Sequence, residues 1–334
     1  MPAPIITLAH GNGGTLSWEL VALFERYFAP RLEKRGQDAA ELTLSSGRIA
    51  FTTDSFVISP IFFPGGDIGK LAVCGTVNDL LTAGAEPRYL SCALILEEGL
   101  PLADLERIVV SMARTAVECG VEIVTGDTKV VGRGAADRIF INTTGIGTLR
   151  EGIDLGATRI RPGDRVLVTG TLGDHGCSVL LAREAFGLDA PIISDCAPLR
   201  GLIEAVLATG VEIHALRDPT RGGAAATLNE FARQSELGIV LDERAIPVNL
   251  AVQGVCELLG LDPLYLANEG KMLIIAPAAS CEAILSAATA HPHGYAARLI
   301  GEVVTEHPGR VVMRTALGRR ILEMPVSDPI PRIC

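Results

Sequence analysis

FTTDSFVISPIFFPGGDIGKLAVCGTVNDLLTAGA, residues 51–85, runs from a strand through a glycine turn into a helix, and the fold class follows from it. Carried back to Ile49, the run IAFTTDSFVIS (49–59) is rich in β-branched and aromatic residues. With LTLSS (42–46) and the Gly47-Arg48 turn before it, the pattern predicts a hairpin. GDIGKLAVCGTVNDLLTAGA (66–85) has apolar residues at 68, 71, 72, 77, 80 and 81, which is helical spacing, and Gly84 supplies a stop.

Working outward, YLSCALIL (89–96) reads as a buried strand. PLADLERIVVSMARTAVECG (101–120) reads as a helix with Pro101 near its start and Gly120 past its end. VEIVTG (121–126) and RIFINTTGIGTL (138–149) read as strands. A second unit restarts after the joint TRIRPGDRV (158–166) with the strand RVLVTG (165–170). Helices are expected around 176–186, 199–209, 222–235 and 279–289, and strands at GIVLD (238–242), KMLIIA (271–276), ARLIGEVV (297–304) and RVVMRT (310–315). This is an α/β pattern, and 334 residues suit two domains. The expected division is 1–155, 156–322 and a tail, 323–334.

Composition narrows the class. The formal charge of −10 gives no electrostatic reason to bind nucleic acid. No apolar run approaches the roughly 18–20 residues that span a bilayer, and MPAPIITLAHGNGG has no basic region of the kind that opens a signal peptide. A cytoplasmic protein is expected. The eight cysteines form no C-x-x-C pair and mostly sit in apolar runs, as in LAVCGTV, so all but the last read as small core residues in a reducing compartment. The last is Cys334, the final residue, behind a segment with prolines at 325, 329 and 331. Such a segment favours extended backbone of about 3.1 Å per residue, a reach of roughly 35 Å. A frayed end is the commonest fate of a terminus, yet this one is apolar and ends in a nucleophile.

Candidate chemistry lies at element ends. Asp54 follows the first strand, Asp67 opens the first long helix, Asp79 lies within it, and Asp127 follows VEIVT. Carboxylates suit Mg²⁺ bridged to phosphate oxygens, while each aspartate taken singly also reads as a cap or turn residue. HGNGG (Gly11, Gly13, Gly14) offers backbone N–H groups to phosphate. GGDIGKL lacks P-loop spacing, so a nucleotide must be held by other means. DPTRGG (218–223) puts Asp218 and Arg221 before a helix, and NEGK puts Glu269 at the mouth of a strand. The histidines form no metal set.

Taken in order, HGNGG, the 51–85 block, TGDTKVV, INTTGIG, DPTRGG, NEGKM and the terminal PRIC resemble the hydrogenase maturation factor HypE family over nearly the whole chain. The wider superfamily resembled includes aminoimidazole ribonucleotide synthetase, selenophosphate synthetase and thiamine phosphate kinase. The resemblance implies a two-domain PurM-like architecture: an N-terminal sheet domain forming a dimeric β-barrel, a C-terminal α/β domain and an extended tail. It implies an ATP-dependent carbamoyl dehydratase that converts an S-carboxamide on the terminal cysteine, placed there by the carbamoyltransferase HypF, into an S-cyanide. The cyanide passes through a HypC–HypD complex to the iron of a [NiFe]-hydrogenase. ATP and Mg²⁺ are the implied cofactors. Carried over by motif, Asp54, Asp79, Asp127 and Asp218 hold metal and phosphate, with Asp67 beside them. Gly11, Gly13, Gly14 and Arg221 contact phosphate, and Lys129 and Glu269 serve proton removal at Cys334. A small-molecule kinase of the same superfamily and a non-enzymatic carrier of Cys334 are the competing readings.

Overall fold

The computed structural model describes residues 5–7, 10, 15–28, 47–183, 187–188, 190–325 and 329–334. The N-terminal part comprises α1 (Thr15–Phe28), β1 (Ile49–Phe56), the short β2 (Phe62–Phe63) and β3 (Gly66–Asp67), α2 (Ile68–Thr82), β4 (Ala85–Glu97), α3 (Leu102–Cys119), β5 (Glu122–Val131) and β6 (Ile139–Leu149). Four strands form one sheet in the order β1-β6-β4-β5, antiparallel except for the β4–β5 pair. The hairpin partner expected at 42–46 lies outside the described residues; among those described, β1 pairs with β6.

The 51–85 block folds as its pattern dictates. Alternate residues of β1 turn toward α2: Thr52 hydrogen-bonds Asp79 on that helix, and Phe56 is buried beneath it. The approach is close because position 75 is glycine; a Cβ there would stand 2.9 Å from the Phe56 ring. Asp67 caps α2, accepting from the N–H groups of Gly69 and Lys70. Twelve of the helix's fifteen residues are buried, so it is a core helix rather than a surface one.

The expected barrel is not there. Among the described residues the four-stranded sheet is open, with β1 and β5 as its edges, and no sheet closes on itself. Four strands are about half the number whose closure leaves an interior that side chains can fill. Here one face is filled instead by α2 and α3, giving a two-layer α/β unit.

The C-terminal part comprises β7 (Arg165–Val168), α4 (Asp174–Ala182), α5 (Arg200–Leu207), β8 (Ala215–Arg217), α6 (Gly223–Ser235), β9 (Gly238–Asp242), α7 (Leu250–Leu259), β10 (Leu273–Ala276), α8 (Cys281–Thr289), β11 (Arg298–Val304), β12 (Val311–Thr315) and β13 (Gly318–Leu322). Its seven-stranded sheet has the order β13-β12-β9-β11-β7-β10-β8. The sequence pattern missed α7, β8 and β13. Among the described residues no helix is long and apolar enough to cross a membrane, and the seven buried cysteines are thiols.

The two parts are joined by buried polar contacts. Asn78 Nδ2 donates to the carbonyls of Ala197 (3.2 Å) and Glu269 (3.4 Å), and its Oδ1 accepts from Leu199 N–H (3.0 Å). Arg200, on α5, donates to the carbonyls of Cys119 and Gly120 at the end of α3 and pairs with Glu86. Phe56→Ala, which empties the space under α2, is expected to lower unfolding free energy by about 3–5 kcal/mol, measured by urea denaturation.

Candidate active site

Three of the sequence-predicted aspartates come together at the cleft between the parts. Asp54 and Asp79 share the α2-facing side of the sheet, and Asp218 follows β8. All three are half-buried. Burial raises the Asp54 carboxyl, opposed by the Ser55 N–H and the Arg221 guanidinium. Burial pushes Asp79 up to about 6, with the Thr52 hydroxyl opposing the shift and the charge of Asp54 adding to it. Asp218 rises to about 7, through burial and then through the charge of Asp79. Arg217 and Arg221 offset part of this repulsion. Asp79 and Asp218 also line a cavity of about 460 Å³ whose walls include Leu80, Leu155, Leu216 and Phe231. That volume is within the roughly 300–1,000 Å³ usual for small-molecule sites.

The other predicted residues are placed differently. Asp67 is committed to capping α2. Asp127 and Lys129 form an exposed ion pair with Nζ–Oδ2 of 2.7 Å, and the Lys129 hydrogen bond holds the Asp127 carboxyl below its ordinary range. Register puts Ser55, Asn142, Ala93 and Asp127 in one row. Strand alternation then sets that row on the outer face of the sheet, opposite to Asp54. Arg221 is exposed at the cleft. Gly11, Gly13 and Gly14 lie outside the described residues.

Glu269 is 3% exposed, and its Oε1 has no hydrogen-bond partner. Burial pushes its carboxyl well above the ordinary range, and the Cys196 thiol and the Asp218, Asp195 and Asp54 carboxylates add to the effect. A buried carboxyl oxygen left unpaired costs free energy and is set to receive a donor from a ligand.

Cys334 is docked. Cys334 O accepts from Val57 N–H (3.1 Å) and Arg332 O from Ser59 N–H (3.3 Å), an antiparallel strand-like register along the chain just past β1. Arg183 donates to the carbonyls of Pro331 and Arg332, both at 2.8 Å, and to Ser59 O. His175 Nε2 lies 2.8 Å from Ile333 O. A carbonyl only accepts, so Nε2 carries a proton, and Nδ1 lies 2.7 Å from the Ser194 hydroxyl. Ile330 and Ile333 are buried. Sequence reasoning read His175 in GDHG only as a loop or satisfied polar residue and gave no role to Arg183, Ser194, Asp195 or Lys271; the polar run SDC marks Ser194 and Asp195, Lys271 lies within NEGKM, and no local signal marks Arg183.

The chain matches the models of the AIR synthase related protein family, the N-terminal domain over residues 36–149 and the C-terminal domain over 161–314, so fold and cleft define a member of that class. It is 51% identical over 336 residues to carbamoyl dehydratase HypE of Rhodobacter capsulatus, covering 98% of each chain. Within the class, the chain belongs to the carbamoyl dehydratase HypE family. The crystal structure of hydrogenase maturation protein HypE in complex with ATP superposes with a TM-score of 0.94 at 49% identity, over 98% of this chain and 99% of that one. A crystal structure of a HypE–HypF complex matches with a TM-score of 0.81 at 48% identity, over 93% of this chain and 100% of that one.

Two expectations follow. Asp79 and Asp218 hold protons above the ordinary carboxylate range, so between about pH 4 and pH 7 the folded chain binds more protons than the unfolded one. Ligand-free stability should therefore fall as pH rises through that window. Asp218→Asn should flatten the fall and raise the melting temperature at pH 8 by roughly 2–4 °C, read by thermal melts at several pH values. Arg183→Ala removes charge-assisted hydrogen bonds worth about 1.5 kcal/mol or more. It should raise the alkylation rate of Cys334 roughly tenfold, read by mass spectrometry of the C-terminal peptide.

Proposed function

We propose that this chain dehydrates an S-carboxamide on its own Cys334 to an S-cyanide, at the expense of ATP, supplying the cyanide ligand for a [NiFe]-hydrogenase iron centre. The observation that carries the reading is the docking of the terminal cysteine at the end of the strand that bears Asp54, with His175, which meets Ile333 O, hydrogen-bonded to Ser194, and the Glu269 N–H bonded to the adjacent Asp195.

The chemistry starts from a poor leaving group. The carboxamide oxygen attacks the γ-phosphorus of ATP, ADP departs, and the nitrogen gives up one proton. The second N–H proton leaves as the C–O bond breaks, so that phosphate carries the oxygen away and a C≡N bond remains. The cavity walled by Leu80, Leu155, Leu216 and Phe231 suits the nucleoside, and its acidic rim lies where phosphates would be. Among the described residues no three His, Cys, Asp or Glu side chains stand close enough to hold a metal ion by themselves. Mg²⁺ does not require that, since it rests on one or two carboxylates plus phosphate oxygens and water. Asp54, Asp79 and Asp218, crowded and mutually repelling, fit that role. The bound cation supplies charge neutralisation at the transferring phosphoryl group. Arg221 faces the same carboxylates and serves phosphate. Glu269, buried with an unpaired oxygen, takes a proton from the carboxamide nitrogen.

The reading includes a homodimer. The outer face of the N-terminal sheet leaves Phe51 67%, Ile49 47% and Ile95 43% exposed, apolar surface suited to a second copy. Asp127 and Lys129 share that face and so belong to a site completed between copies. Gly11, Gly13 and Gly14 keep a phosphate role on the family motif alone. The carbamoyltransferase HypF loads Cys334, in keeping with a relative solved in a HypE–HypF complex. A HypC–HypD complex accepts the cyanide, and the setting is the cytoplasm, where the buried thiols stay reduced. The domain division 1–155 and 156–322, with the tail 323–334, is part of the same reading.

Mass spectrometry of the C-terminal peptide tests the reading. After HypF and carbamoyl phosphate, the peptide should carry a carbamoyl group; after ATP it should lose one water. Glu269→Gln should leave loading intact and slow the water loss by roughly 10²-fold or more. A chain ending at Ile333 that still matures hydrogenase in cells would overturn the reading.

A further inference from the structure

Glu269 lies in a turn with an unusual amount of support, and nearly all of it converges on one side chain. The N–H groups of Glu269 and Gly270 donate to the two oxygens of the Asp195 carboxylate, each at 3.2 Å. Lys271 Nζ stands 3.1 Å from Asp195 Oδ2, with the Asp195 side chain 3% exposed and that of Lys271 11%. One buried carboxylate therefore collects three donors from three consecutive residues, a claw closed on the turn.

The backbones behind this contact are also pressed together. A Cβ at position 270 would stand 1.9 Å from Asp195 O, so only glycine lets the two segments approach. Ala197 N–H donates to Glu269 O. The Lys271 stem is pinned from the other side, since a Cβ at Gly170 would meet its Cε at 2.7 Å. Against these paired groups, the buried Glu269 Oε1 has no hydrogen-bond partner. Asp195 thus spends three of the roughly four acceptor sites of a carboxylate on the turn. Its neighbours in the chain connect to the tail through His175: the Ser194 hydroxyl is hydrogen-bonded to His175, which donates to Ile333 O, and accepts from Cys196 N–H.

We propose that Asp195 is the positioning residue for Glu269, clamping the 269–271 turn so that the free Glu269 oxygen is aimed at the docked Cys334 cargo. The inference rests on the proton-removing role given to Glu269 above. Positioning of this kind is exacting, since small displacements of a catalytic group cost large factors in rate. It also makes a distinctive demand: with the Glu269 carboxylate gone, the clamp has nothing to position.

The test is a double-mutant cycle on the full chain, carbamoylated by HypF and then given ATP, with water loss from the C-terminal peptide followed by mass spectrometry in single turnover. Asp195→Asn keeps an acceptor oxygen but loses the charge and should slow dehydration at least tenfold. Carbamoyl loading and the ATP concentration for half-maximal rate should stay within twofold. Asp195→Ala should be slower still; if it melts early, Asp195→Asn carries the measurement. In a Glu269→Gln background, Asp195→Asn should cost less than twofold further. A wild-type dehydration rate for Asp195→Asn, or the same fold-loss in both backgrounds, would overturn the inference while leaving the function reading intact. A wild-type rate for Glu269→Gln would sink the role of Glu269 and the clamp with it.

Discussion

The whole site depends on one buried amide. Asn78, 1% exposed on α2, spends its donors on the carbonyls of Ala197 and Glu269 and its oxygen on Leu199 N–H. Leaving such groups unpaired in the interior costs about 1–3 kcal/mol each. The helix is thereby held against two segments of the C-terminal part at once. The next residue along is Asp79, so the same helix turn that locks the two parts together delivers a carboxylate to the cleft between them. Cleft geometry and domain packing are one problem here, solved by adjacent residues.

The tail is held by a contrasting logic. Its partners bind mostly backbone: the Pro331, Arg332, Ile333 and Cys334 carbonyls each accept a hydrogen bond, and two isoleucines are buried. The neutral bonds contribute about 0.5–1.5 kcal/mol net each, and those from the Arg183 guanidinium about 1.5–3 kcal/mol. A sum of individually modest terms seats the tail in one register. The acidic cleft adds a further condition. Burial first, and then the charge of neighbouring carboxylates, raises the Asp79 and Asp218 carboxyls, a repulsion that a positive charge placed among them would relieve.

Much of the framework was legible because it is local. The strand-to-helix passage at 49–82 and the helix from 102 to 119 show their own periods and stops. α7 escaped although Asn249 precedes it and Gly260 ends it, because Gly254 inside the run weakens the helical pattern. β8 was missed because three residues, Ala215–Arg217, hold no period to read. The barrel expectation came from a family pattern rather than from strand count, and an open four-stranded sheet backed by helices replaced it. Among site residues, aspartates at strand and helix ends were visible by position. Arg183 was not, and His175 read only as a satisfied polar residue, since their partners lie 124 and 158 residues away in the chain.

By itself the sequence determined the two α/β units, the acidic residues at their element ends and the proline-rich arm with its terminal thiol, because these are set by short-range periodicity, turn chemistry and composition. Only the tertiary structure decided that Asp54, Asp79 and Asp218 meet while Asp127 and Lys129 turn to the opposite face, that Asp195 grips the turn of Glu269, and where the arm docks. Those outcomes depend on strand register and on side chains from distant segments sharing buried space. A shift of one residue in register would reverse every face assignment, and no local pattern encodes that choice.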